Sequence, residues 1–189
     1  MSIAIVTDST ADLPQEITRK LNIHVVPNIL IIEGEEYKDG VDISRREFYE
    51  RLPHLKIPPT TATASSGTYN NLYKGLFGQG FQHIISIHVS KQFSGVFNAA
   101  SIGAEPFGDK IHVVDSEQVT MGQGFQVHDA ALAAKEEDSV HLIVKRLDEL
   151  RLRIRIFAML EKAVRPPTRP SNPSTGNSRL ASRSIRKNG

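Results

Sequence analysis

The sequence predicts an α/β fold, a mostly parallel sheet with helices packed on both faces. Three observations carry this expectation. Continuous apolar runs such as Ile3-Ala4-Ile5-Val6 read as strands buried on both sides. Other segments place apolar residues at helical spacing, most clearly Val140, Ile143, Val144, Leu147 and Leu150. The two kinds of segment alternate along the chain, with no repeat at a solenoid period.

The elements follow in order. Ile3 to Val6 is a strand ending in Thr7-Asp8-Ser9-Thr10. Asp12-Leu13-Pro14 opens a helix, with the proline near its first turn. Residues 24–32 form a second apolar run, and Pro27 inside it demands an edge strand or a break. Lys38-Asp39-Gly40 is a turn. Ser44 caps a helix carrying Phe48, Tyr49 and Leu52, and Glu47 completes a capping box. Ile57-Pro58-Pro59 ends it. Ser66 or Gly67 opens a helix with Tyr69, Leu72, Tyr73 and Leu76 on one face. Residues 83–90 are a strand, 94–104 a helix, 110–115 a strand and 121–135 an alanine-rich helix. Ser139 caps the next helix, and residues 154–160 are a last strand.

Composition bounds the function. The 189 residues suit one domain, or one and a fraction. There is no cysteine, which excludes disulfides, thiolate metal sites and a cysteine nucleophile. The N-terminus reaches Asp8 too early for a signal peptide, and no run approaches the ~18 apolar residues of a membrane span. A cytoplasmic protein without a membrane span is expected. The net charge of +2 hides an asymmetry. Arg165, Arg169, Arg179, Arg183, Arg186 and Lys187 stand in a segment with no acidic residue, so residues 1–164 keep 17 basic against 21 acidic residues. Residues 1–164 are therefore expected to form the α/β domain. Residues 165–189, dense in proline and serine and poor in apolar side chains, are expected to be a disordered basic tail.

Hydroxyls cluster where strands should end: Thr7 to Thr10, Thr60 to Ser66, Ser90 to Gly95, and Asp115-Ser116. In an open α/β sheet, ligands bind beyond the carboxyl ends of the strands. Helix N-termini there present free N–H groups that favour an anion. Neutral hydroxyls with few fixed cations suit a carboxylate better than a triphosphate. Each cluster taken alone also reads as ordinary helix capping, and Asp8 and Asp115 read as loop braces that accept backbone N–H bonds. Other chemistry is unmarked. Gly122-Gln123-Gly124 lacks the third glycine and acidic partner of a dinucleotide fingerprint. The seven histidines show no metal-ligand spacing. Ser94 is not in a nucleophile elbow, and no general base is marked.

Taken in order, five stretches resemble the DegV family of bacterial fatty-acid-binding proteins. They are residues 5–14, 37–44, 59–65 and 90–100, and Val114-Asp115-Ser116 followed by residues 121–124. The likeness runs from residue 1 to about 161. It implies the N-terminal domain of a two-domain α/β protein that clasps a long-chain fatty acid. It implies that Thr61 and Ser94 bond the carboxylate, with Ser9, Thr60 and Gly95 beside them in the ligand-binding set. It also implies a carrier rather than an enzyme, with no cofactor, no metal and no nucleic acid. Its partner would be a fatty acid kinase subunit that phosphorylates the presented carboxylate.

The sequence departs from the family after Glu161. The family continues into a second domain, whereas this chain runs into Arg165-Pro166-Pro167. The expectation is a truncated chain with the second domain missing, impaired binding and an exposed apolar patch. Two functional alternatives stand beside a fatty acid carrier or its non-functional fragment. One is a phosphate- or nucleotide-handling hydrolase using Asp8 and the strand-end hydroxyls. The other is non-specific attraction of the basic tail to nucleic acid or another acidic surface.

Overall fold

The computed structural model describes residues 2–157. Four parallel strands form the main sheet in the order β2-β1-β6-β7. They are β1 (Ile3–Asp8), β2 (Ile23–Val26), β6 (His83–His88) and β7 (Ile111–Asp115). Their register aligns Ile5 with both Ile23 and Ile85, and Ile85 with His112. β1 and β6 are central, and the apolar run Ile3 to Val6 of β1 is continuous because both faces are covered.

Alternation along each strand sorts side chains into two cores. Ile3, Ile5, Ile85 and Ile87 pack with Val127, Ala130, Ile143 and Leu147. Those partners lie on α5 (Thr120–Lys135) and α6 (Val140–Arg151). Ala4, Val6 and Ile84 pack with Tyr69, Tyr73, Leu76, Val96 and Ala100. These come from α3 (Ser66–Gly78) and α4 (Val96–Ala104). Each fully buried isoleucine contributes ~1.5–3 kcal/mol relative to an exposed one. The sheet with helices on both faces is the expected fold.

A second sheet was not expected. β3 (Ile29–Ile32), β4 (Glu35–Lys38) and β5 (Thr60–Ala62) pair antiparallel in the order β4-β3-β5. Glu33 and Gly34 turn the β3–β4 hairpin with φ of 52° and 95°. Two positive φ values suit the twist of a two-residue hairpin loop, and glycine takes the more extreme one without a Cβ penalty. Thr60 to Ala62 therefore forms an edge strand, not only a hydroxyl loop before a helix.

Other expectations meet the structure element by element. Pro27 breaks its apolar run into β2, an edge strand, and β3 in the other sheet. Ser44, Ser65 and Ser139 accept bonds from the backbone N–H groups of Glu47, Thr68 and Leu142, so all three are N-caps. The capping box at α2 (Arg45–Arg51) is only half made, because the Glu47 carboxylate pairs with Arg51 one turn on. Asp12 does not cap α1 (Gln15–Lys20). It closes the preceding 3₁₀ turn at φ 55° and pairs with Arg45, while Pro14 stands at the N-cap. The helix placed at 94–104 begins at Val96. Residues 154–157 form no strand, against expectation, since they pair with no neighbour in either sheet. The rest of that predicted strand, the boundary at 164 and the basic tail lie outside the described residues.

Candidate functional site

Parallel pairing brings the carboxyl ends of β1, β6 and β7 to one edge of the sheet. The residues that leave that edge build the candidate site. Asp8 ends β1 and is fully buried. Its Oδ1 accepts the N–H of Thr10 at 3.0 Å and a longer bond from Asn28 Nδ2 at 3.5 Å. Its Oδ2 accepts from Val89 N at 3.1 Å, Gln123 Nε2 at 3.0 Å and His88 Nδ1 at 3.0 Å. A carboxylate so surrounded by donors must be ionised, which puts the proton on His88 Nδ1. Burial alone would raise the Asp8 carboxyl. The hydrogen bond and charge of His88, with the Thr10 side chain and the Val89 N–H, outweigh it and hold the carboxyl below its ordinary value.

The network continues inward. His88 Nε2 lies 2.7 Å from Ser86 Oγ, and Ser86 Oγ lies 2.9 Å from the Tyr73 hydroxyl. The Tyr69 ring meets the His88 ring edge-on with centroids 5.2 Å apart. Burial pushes the Tyr73 hydroxyl up to about 12, partly offset by its bond to Ser86. Burial and then the nearby Asp8 charge push Tyr69 higher still. Asp8, His88 and Ser86 have the connectivity of a hydrolytic triad. All three are fully buried, however, and no substrate can reach Ser86 Oγ. The arrangement is a hydrogen-bonded brace.

Of the predicted ligand residues, Ser9 follows Asp8 directly, and the others stand on β5 and at the start of α4. Ser9 is buried, and its hydroxyl accepts the N–H of Asn28 at 3.1 Å. Its carbonyl accepts from Arg45 Nη2 at 3.2 Å. Thr60 and Thr61 are exposed on β5, Thr61 opposite Leu30 of β3. Ser94 is half-buried; its N–H bonds to the Ser90 carbonyl at 3.2 Å and its hydroxyl accepts the N–H of Val96 at 3.4 Å. Gly95 is the N-cap of α4 and brings no side chain of its own to the helix's first N–H groups, of which that of Val96 is taken by Ser94 Oγ. A Cβ placed on Gly95 would stand 4.0 Å from Thr63 Cγ2. The 60–65 and 90–95 segments are thus neighbours at the start of α4.

Asp115 braces its loop as expected, accepting from Glu117 N at 3.0 Å and Lys91 N at 3.4 Å. Lys91 is the cation of this loop, and its ammonium is 3.8 Å from Asp115 Oδ2. A cavity of about 580 Å³ opens on the other side of Ser9, between α1, β2 and α2. Asp8, Ser9, Leu13, Val25, Val41 and Arg45 are among its walls, but Thr60, Thr61, Ser94 and Gly95 are not. Large exposed apolar side chains include Phe93, Phe125, Leu152 and Phe157. Among the described residues no group of His, Asp or Glu is placed to hold a metal, and no helix is long and apolar enough to cross a membrane.

Sequence reasoning missed His88, Ser86, Asn28 and Gln123. Two signals were available. Ser86 and His88 are polar residues two apart in a central strand whose Ile84, Ile85 and Ile87 are apolar, so one face must bury both. Gln123 stands between two glycines. A Cβ on Gly124 would lie 2.4 Å from the Ala11 carbonyl oxygen. That glycine presses α5 against the turn after Asp8, which lets Gln123 reach the carboxylate.

Known proteins share this architecture. A family model described as an uncharacterised protein of the DegV family matches residues 2–164. A DegV domain-containing protein of Listeria monocytogenes is 38% identical over 150 residues, which are 79% of this chain and 53% of that one. The chain spans about half the length of the curated relatives it matches. The crystal structure of DegV, a fatty acid binding protein from Bacillus subtilis, is 34% identical with a TM-score of 0.74, covering 80% of this chain and 54% of that one. A fat acid (stearic acid)-binding protein from Eubacterium ventriosum is 32% identical with a TM-score of 0.69, covering 77% and 52%.

Proposed function

This chain belongs to the DegV family, and from that premise we propose that it holds the carboxylate of a long-chain fatty acid with its hydroxyl loops. The observation that carries the reading is the approach of Thr63 to Gly95, which sets two hydroxyl segments beside the open start of α4. Thr61 and Ser94 donate hydrogen bonds to the carboxylate. Thr60, Gly95 and the turn at Ser9 line the head-group site. The N–H groups of α4 that follow Val96 favour the same negative charge.

Each hydroxyl bond to the charged group contributes ~1.5–3 kcal/mol. The acyl chain adds ~0.8 kcal/mol per buried CH₂, so affinity depends mainly on apolar cover. Phe93, exposed beside Ser94, offers part of that cover. The 580 Å³ cavity borders Ser9 alone among the ligand residues and is not used by the head group in this reading. The buried Ser86 rules it out as a nucleophile, which supports a carrier that leaves chemistry to others. The carrier would act in the cytoplasm and present the carboxylate to a partner kinase.

The test is a titration with tetradecanoate. Thr61→Ala and Ser94→Ala should each weaken binding about tenfold, the loss of one charge-assisted bond. Unchanged affinity in both variants would remove the head-group assignment.

A further inference from the structure

The buried brace at the end of β1 bonds Asn28, which leads into β3, and Val89, which leads into the loop carrying Ser94. We propose that Asp8 is a positioning residue whose two carboxylate oxygens hold the Thr61 arm and the Ser94 arm in register with each other. The inference rests on the fatty-acid reading above and adds to it a residue that never meets the ligand.

The two oxygens divide the work. Oδ1 accepts from Thr10 N and, at 3.5 Å, from Asn28 Nδ2. Asn28 also bonds the Thr10 hydroxyl at 2.9 Å, and its N–H bonds Ser9 Oγ at 3.1 Å. Asn28 leads directly into β3, and β3 carries β5 with Thr61 opposite Leu30. Oδ2 accepts from Val89 N and His88 Nδ1. The next residue is Ser90, whose carbonyl accepts the N–H of Ser94. One carboxylate therefore sits at the root of both arms, fully buried, with donors on every side.

An asparagine at this position keeps the shape but offers one oxygen. Its amide NH₂ then faces N–H donors on one arm and must push that arm away. Two effects of Asp8→Asn have opposite signs. Removing a buried negative charge near the site should by itself tighten binding of an anion. Loss of register should weaken it. Positioning predicts that weakening prevails.

The experiment compares tetradecanoate with 1-tetradecanol on the full chain. The alcohol shares the acyl surface and lacks the charge. In Asp8→Asn, tetradecanoate affinity should fall about tenfold or more, while 1-tetradecanol should stay within about twofold. Ser94→Ala should cost far less in the Asp8→Asn background than in the wild type, because the bond it removes is already misaligned. Asn28→Ala, at a half-buried position, cuts only one arm and serves if Asp8→Asn fails to fold. In that background Thr61→Ala should add little and Ser94→Ala should keep its full effect. Equal weakening of acid and alcohol, full additivity, or tighter acid binding in Asp8→Asn would overturn the positioning role while leaving the fatty-acid reading intact. A wild-type chain that binds neither probe would remove the reading itself, and the positioning role with it.

Discussion

The two sheets of this molecule hold the two arms of the proposed site in very different ways. The parallel sheet supports the Ser9 turn and the loop carrying Ser94 from the ends of β1 and β6, strands whose side chains are almost wholly buried between two helical layers. The small antiparallel sheet supports Thr61 on a three-residue edge strand that is exposed throughout, and its other edge strand, β4, is mostly exposed. Only Ile32 is buried along its three strands. Rigidity should follow burial, since local opening is easiest where few apolar contacts must be broken. One arm is a fixed wall and the other a flap. The Asp8 brace matters because it joins the flap to the wall.

The comparison can be broken or sharpened by substitution. The largest effect should come from Ile85→Ala, which empties a fully buried site between β1 and α5 and should cost about 2–5 kcal/mol in urea unfolding. Leu30→Ala on half-buried β3 should cost clearly less. Equal costs would mean that the small sheet is as tightly packed as the large one. Next comes Gly124→Ala. Its Cβ would meet the Ala11 carbonyl at 2.4 Å, and the overpacking should cost about 1–3 kcal/mol by the same measurement. An unchanged urea midpoint would show that α5 does not press on the Asp8 turn.

A smaller effect should appear on acidification. The folded-state pKa of Asp8 lies below its unfolded value, so its contribution is fully present above the ordinary 3.8. That contribution fades as pH falls from about 3.8 through the lower folded value. Unfolding followed between pH 6 and 2.5 should show stability dropping in that window, and Asp8→Asn should lack this component of the drop. Parallel pH profiles for the two proteins would mean that the brace does not depend on the charge. The smallest effect belongs to Thr61→Ala. Exposed on an edge strand, Thr61 should change stability by no more than about 0.5 kcal/mol, whatever it does to binding.

Much of the main sheet was legible in the sequence. Runs such as Ile3 to Val6 admit few other readings, and serines before helices marked caps at Ser44 and Ser139. The small sheet was not legible. Glu35-Glu36-Tyr37-Lys38 and Thr60-Thr61-Ala62 bury too little to show alternation, and pairing with β3 defines them. Residues 154–157 failed in the opposite direction, being apolar enough for a strand but finding no neighbour. At the site, the hydroxyl clusters were visible because strand ends are local features. The Asp8–His88 pair was not. The two residues are 80 apart, and only the adjacency of β1 and β6 brings them together. Sequence alternation predicts a strand, but it does not say which strands will be neighbours.

The central claim is that this chain holds a fatty acid by its carboxylate through Thr61 and Ser94. Native mass spectrometry of the purified chain, followed by solvent extraction, tests it most directly. The account predicts a one-to-one adduct whose mass matches a long-chain fatty acid, and its loss in the Thr61→Ala, Ser94→Ala double variant. A folded wild-type chain free of fatty acid and unable to take up added tetradecanoate would contradict it, as would an adduct that persists undiminished in the double variant.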